Sequence, residues 1–147
     1  MVNPQHMRRT GLPPFPLFAL AWVVAGCSGS ADVERVEAYT GIGAEETVRF
    51  AGNEPFWGGE VTGTQLRYSD PERAAGVPIP VERFAGNGGL SFSGVFEGER
   101  FDLAITPGAC DDTMADRTYP FTATLSIEGE TRFGCAWTDR QPFEEQG

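Results

Sequence analysis

The sequence predicts an all-β fold, a small antiparallel β-barrel or sandwich of about seven to eight strands behind a signal peptide and a flexible tether. Three observations predict it. From residue 47 onward, apolar side chains recur with a period of two; glycine, proline and aspartate break these runs at short intervals; and no long stretch after residue 26 keeps the period of an amphipathic helix.

Residues 1–26 contain no acidic residue and place Arg8 and Arg9 before an apolar run at 17–24, the layout of a secretory signal. The run is too short to remain as a membrane-spanning helix. Met7 directly precedes the arginines, so translation starts at either Met1 or Met7. The run ends in Val24-Ala25-Gly26-Cys27, which resembles the lipobox of bacterial lipoproteins: an aliphatic residue, two small residues and the acylated cysteine. The resemblance implies cleavage before Cys27, a diacylglycerol on its thiol and attachment to a membrane through that lipid. Ser28 in place of aspartate is similar to the enterobacterial pattern for export to the outer membrane, so the domain is expected in the cell envelope, facing the periplasm. Residues 27–46 are small and acidic with little alternation. They are expected to form a tether, of which the stretch 28–44, as a coil, holds the domain about 20 to 25 Å from the lipid.

The β domain is expected over 47–138. Short strands at 56–61 and 65–68 flank Thr62-Gly63-Thr64, and Ser69-Asp70-Pro71-Glu72 is a turn. Residues 77–81 alternate but carry Pro78 and Pro80, which predicts an edge strand or an unpaired extended segment. Residues 90–96 and 100–106 form a hairpin about Glu97-Gly98-Glu99, with Phe101, Leu103 and Ile105 on one face. A turn-rich loop is expected at 107–117. The clearest strand covers 119–127, where Tyr119, Phe121, Ala123, Leu125 and Ile127 point one way and Thr122, Thr124 and Ser126 the other. Glu128-Gly129-Glu130 turns it into 131–137, on which Phe133, Cys135 and Trp137 share a face. Residues 139–147 are expected to be a disordered acidic tail.

With Cys27 lipidated, Cys110 and Cys135 are two thiols in an exported chain, and they are expected to form a disulfide. A metal–thiolate centre needs more ligands than the chain offers, and no metal or cofactor is expected.

Three blocks stand out: Gly52-Asn53-Glu54-Pro55-Phe56-Trp57, then the segment from Cys110 through Asp111, Asp112, Met114, Asp116 and Tyr119-Pro120-Phe121, and finally Gly134-Cys135-Ala136. Together they resemble a family of uncharacterised proteobacterial envelope lipoproteins that share G-x-E-P-F-W, C-x-D-x-M-S-D-x-x-Y-P-F/Y and G-C-A blocks. The similarity covers residues 47–137. Thr113 and Ala115 stand where the common pattern has glycine and serine. The resemblance implies little about activity. In some members the domain is fused to small envelope domains, one of them like the membrane-bound inhibitors of C-type lysozyme, which insert a Ser-Gly loop into the enzyme. Ser93-Gly94-Val95-Phe96 is a faint counterpart that equally suits a bulge or tight bend.

The candidate binding residues are Glu54, Phe56, Trp57, Asp111, Asp112, Asp116 and Tyr119. Phe56 and Trp57 form either an aromatic contact surface for a glycan or a protein, or part of the core, with Trp57 and Val61 on one strand face. The acidic residues at 111, 112 and 116 either bind a partner or cap turns; with Glu54 they miss the spacing of a calcium loop.

Beyond Cys27 the chain has nine arginines against 21 acidic residues, a formal charge of −12, and neither lysine nor histidine. This disfavours nucleic acid. It also removes the usual base for a serine or cysteine nucleophile. The expected function is therefore a non-catalytic binding or structural role in the envelope. Inhibition of C-type lysozyme or a related cell-wall hydrolase is the alternative, and a carboxylate-dependent glycan hydrolase a more distant one.

Overall fold

A computed structural model describes residues 37–112 and 116–145, with only the backbone of Asp112. The described chain forms nine strands and no helix: β1 Val48–Asn53, β2 Phe56–Thr62, β3 Gln65–Ser69, β4 Val77–Ala85, β5 Leu90–Phe96, β6 Glu99–Asp112, β7 Arg117–Ile127, β8 Glu130–Thr138 and β9 Glu144–Glu145. Strands β1 to β8 pair antiparallel in chain order, and β1–β8 pairing closes them into an up-and-down barrel, with β9 added to β7. Closure gives each of β1 to β8 a paired neighbour on both sides over at least part of its length.

The interior is filled by the apolar half of each alternating strand. Phe50, Tyr68, Phe92, Phe101, Phe121, Leu103, Ile105 and Leu125 are among the fully buried side chains. Both Glu-Gly-Glu turns are two-residue hairpins: Glu97 and Gly98, and Glu128 and Gly129, have positive φ, and Phe96 pairs with Glu99 as Ile127 does with Glu130. That is the type I′ turn, whose twist matches the flanking strands.

Four expectations change. β4 is an interior strand, because its pairing is staggered: residues 77–80 pair with β3 and residues 81–85 with β5, so Pro78 and Pro80 lie where the β5 ladder has ended. A missing N–H costs nothing on a side without a ladder. Residues 107–112 continue β6 as strand. A bulge between Pro107 and Cys110 lets the β6–β7 ribbon run past the barrel, with Cys110 opposite Tyr119 and Asp111 opposite Thr118. The packed chain begins before residue 47, since Ile42 is 2% exposed in the core and its carbonyl accepts from Arg83 at 3.0 Å. The tail also folds back in part: β9 pairs with Arg117 and Thr118, and Phe143 packs on Tyr119 and Trp137.

One barrel end is sealed by polar contacts. Arg132 donates to the Tyr68 hydroxyl at 2.7 Å, and Arg73 joins Asp70 at 2.8 Å to Glu97 at 2.9 Å. Burial pushes the Tyr68 hydroxyl up to about 12, against the pull of the Arg132 charge. At Asp70 burial acts upward, but the Arg73 backbone N–H and guanidinium and the Tyr68 hydroxyl hold the carboxyl below its ordinary range.

Candidate functional site

The Gly52-to-Trp57 block is built around a turn. Asn53 pairs with Phe56, the Glu54–Pro55 peptide between them is cis, and this is the geometry of a type VI turn. Alternation then sends Trp57 inward, 4% exposed beside Phe50, and Phe56 outward, 58% exposed. The two aromatics that the sequence left as surface or core are thus one of each. Trp57 is core for a packing reason: its indole occupies the space a side chain at residue 52 would need. A Cβ on Gly52 would lie 2.1 Å from the Trp57 Nε1 and 2.7 Å from the Phe133 carbonyl oxygen.

The Gly134-Cys135-Ala136 block is read in the same way. A Cβ on Gly134 would meet the Ala51 carbonyl oxygen at 2.2 Å, so glycine lets β8 approach β1 closely. Ala136 is fully buried opposite Phe50 and Phe121. Cys135 stands opposite Ala51 and Thr122 on the outer face. There it is joined to Cys110, whose Cα is 5.6 Å away. The bridge holds the β6–β7 ribbon against the outer wall of β8, and Tyr119 packs on Trp137 with ring centroids 5.3 Å apart.

These placements enclose a cleft of about 410 Å³ on the outer wall. One side is Ala51 to Glu54 on β1 and its turn, another is the ribbon with Cys110, Asp111 and Tyr119, and the floor is Thr122, Thr124 and Phe133 on β7 and β8. Arg132 reaches the lining, yet its guanidinium is held by Glu130 at 3.0 Å and by Tyr68. The Phe133 ring is 74% exposed.

Of the residues singled out in the sequence, the cleft gathers Glu54, Asp111, Tyr119 and both bridged cysteines. Phe56 lines a separate shallow depression with Ser69 and Asp70. Asp116 is exposed on the ribbon tip, the side chain of Asp112 and the whole of Cys27 lie outside the described residues, and Asp111 accepts from the Thr118 hydroxyl at 3.0 Å. No group of three or more acidic, histidine or cysteine side chains among the described residues is placed to hold a metal ion. Sequence reasoning missed the threonine row and the aromatic floor. Phe133 was identified as sharing a face with Cys135 and Trp137, and the overlooked signal was that a face bearing a disulfide to a distant ribbon is the outer one.

Ser93-Gly94 lies within β5, paired with Asp102 and Phe101, and the Ser93 hydroxyl donates to Asp102 at 2.7 Å. It is paired strand and not loop. A Cβ on Gly94 would meet the Pro80 carbonyl oxygen at 2.6 Å, the close backbone approach that glycine in a strand often marks.

No protein-family model, curated protein or solved structure matches this chain.

Proposed function

We propose that this chain is an exported lipoprotein of the bacterial cell envelope, anchored through Cys27 and facing the periplasm, whose barrel binds a partner without catalysing a reaction. The family resemblance of the three sequence blocks belongs to this reading. The observation that carries it is their convergence: Gly52 to Glu54, Cys110 with Asp111 and Tyr119, and Gly134 with Cys135 are far apart in the chain and line one cleft. The barrel interior is filled by side chains, which leaves the outer wall as the place for a ligand. Non-catalysis is supported by the composition beyond Cys27, which has no histidine or lysine, and by the disulfide that occupies both remaining thiols. Insertion of a Ser-Gly loop into a lysozyme finds no support, since Ser93-Gly94 is mid-strand.

Radiolabelled palmitate and cell fractionation test the anchor. The wild type should incorporate label and sediment with the envelope, whereas Cys27→Ser should carry no label and become soluble. A Cys27→Ser protein that stays membrane-bound sinks the lipoprotein reading. Incubation with purified peptidoglycan tests the second half: release of soluble fragments, abolished by Glu54→Gln or Asp111→Asn, would make the protein a hydrolase instead.

A further inference from the structure

Among the described residues, no ion pair answers the two carboxylates that flank the outer-wall cleft. Every described arginine is already engaged within the chain. Arg49, Arg73, Arg100, Arg117, Arg132 and Arg140 face carboxylates, while Arg67 and Arg83 donate to backbone carbonyls. None of these pairs involves Glu54 or Asp111, whose carboxylates flank the cleft in a chain whose portion beyond Cys27 carries −12.

Between the two acids lies a surface suited to more than a free ion. The exposed Phe133 ring forms the apolar floor, with Thr124 directly opposite it and Thr122 opposite Cys135. A guanidinium stacks on an aromatic face and donates to a carboxylate in one plane, and its aliphatic stem covers apolar surface. The register adds a spacing. Phe133, whose carbonyl lies against Gly52 just before the Glu54 turn, and Cys135, which holds the ribbon bearing Asp111, are two residues apart on one strand, which is about 7 Å. Alternate residues of an extended segment are separated by the same distance and point the same way.

Resting on the binding reading above, we infer that the cleft takes an extended basic segment of a protein partner, with arginines at alternate positions, one stacked on Phe133 and bonded to Glu54 and the other directed at Asp111. Such a segment is opposite in charge to Glu54 and Asp111, and electrostatic attraction between an acidic domain and a basic segment also speeds encounter.

The test uses the full chain, expressed from its own leader and purified in non-ionic detergent, with a fluorescein-labelled peptide containing Arg-Thr-Arg between Gly-Ser flanks. Its control is the same peptide with citrulline in place of both arginines, which keeps shape and removes charge. Anisotropy titrations at low salt should show binding of the arginine peptide and at least about tenfold weaker binding of the citrulline peptide, the loss expected for a charge-assisted bond. Glu54→Gln and Phe133→Ala, both at exposed side chains, should each weaken binding by about three- to tenfold. Glu82→Gln, an exposed acid away from the cleft, should leave it unchanged. Equal binding of both peptides overturns the inference, as does equal weakening by Glu82→Gln and Glu54→Gln, which would mean diffuse attraction only. If oligomers of N-acetylglucosamine bind in place of the peptide and lose affinity in Phe133→Ala, the cleft is a glycan site: the inference fails and the binding reading survives. If neither probe binds, the inference fails, and the binding reading loses its support from this cleft.

Discussion

Gly52→Ala should destabilise the domain by about 2–3 kcal/mol, near the top of the range for forcing one methyl group into packed structure. The new Cβ would lie 2.1 Å from the Trp57 Nε1, 2.6 Å from its Cε2 and 2.7 Å from the Phe133 carbonyl oxygen, so ring and backbone close on it together. Trp57 cannot simply retreat, because its other side packs on Phe50 at a centroid distance of 5.9 Å. Alanine is otherwise better than glycine in a strand by about 0.5–1 kcal/mol, so a net loss reports the clash and not the backbone. In a domain of this size the loss corresponds to a melting temperature lowered by about 10–20 °C. Thermal melts by near-ultraviolet circular dichroism of the wild type, Gly52→Ala, Trp57→Phe and the double mutant complete the cycle. Phenylalanine lacks the second ring of the indole and can shift away from residue 52, while the Phe133 carbonyl stays, so the double mutant should recover about 1–2 kcal/mol relative to additivity. An unchanged melting temperature in Gly52→Ala, or strictly additive effects, would refute the account of why glycine stands at this position.

The disulfide and the Asp70 ion pair can each be tested in the same way. Cys135→Ala opens a loop of 25 residues, and should cost about 3.5 kcal/mol in the chain-entropy model; thiol titration in a Cys27→Ser background should then find one free thiol, and an unaltered melting curve would remove the bridge from the list of stabilising features. Asp70→Asn should destabilise the protein at neutral pH and much less in acid. The folded pKa of Asp70 is depressed, so its contribution is complete above the ordinary carboxylate value and lost as the pH falls through the lowered one. Urea titrations at pH 7 and at about pH 2.5 should show the gap between wild type and variant closing; a gap that stays constant would mean that the Arg73 partnership does not hold the carboxyl ionised.

The parts of the fold legible in the sequence were those in which local chemistry and tertiary structure ask for the same residue. The two Glu-Gly-Glu turns announce themselves because a type I′ turn needs positive φ, and the strand after Tyr119 because four core residues, Phe121, Ala123, Leu125 and Ile127, alternate without interruption. β4 was misplaced because a rule about proline in sheets assumes a strand paired along its whole length on both sides. Barrel stagger breaks that assumption, leaving Pro78 and Pro80 beside a ladder that has stopped. The strand β1 was not singled out at all, though Val48 and Phe50 alternate with Arg49 and Ala51. It is short, and its pairing with β8 joins segments about ninety residues apart, which no local pattern encodes.

The cleft was only half legible for a related reason. Trp57 and Phe56 sit together in the sequence, yet alternation separates them to opposite faces of one strand, so the motif contributes a core residue and an exposed ring to different places. Glu54, Asp111 and Tyr119 are dispersed in the sequence, and the disulfide with the β6–β7 bulge brings them together by laying the ribbon over the outer wall. The same bridge therefore has two consequences that can be separated by experiment. Its loss lowers stability through the unfolded chain, and it frees the wall that carries Asp111. A Cys135→Ala protein assayed well below its melting temperature should accordingly remain folded and yet bind the arginine peptide more weakly than wild type, because the second carboxylate is no longer held at its distance from Phe133. Equal affinity under those conditions would place the contact at Glu54 and Phe133 alone.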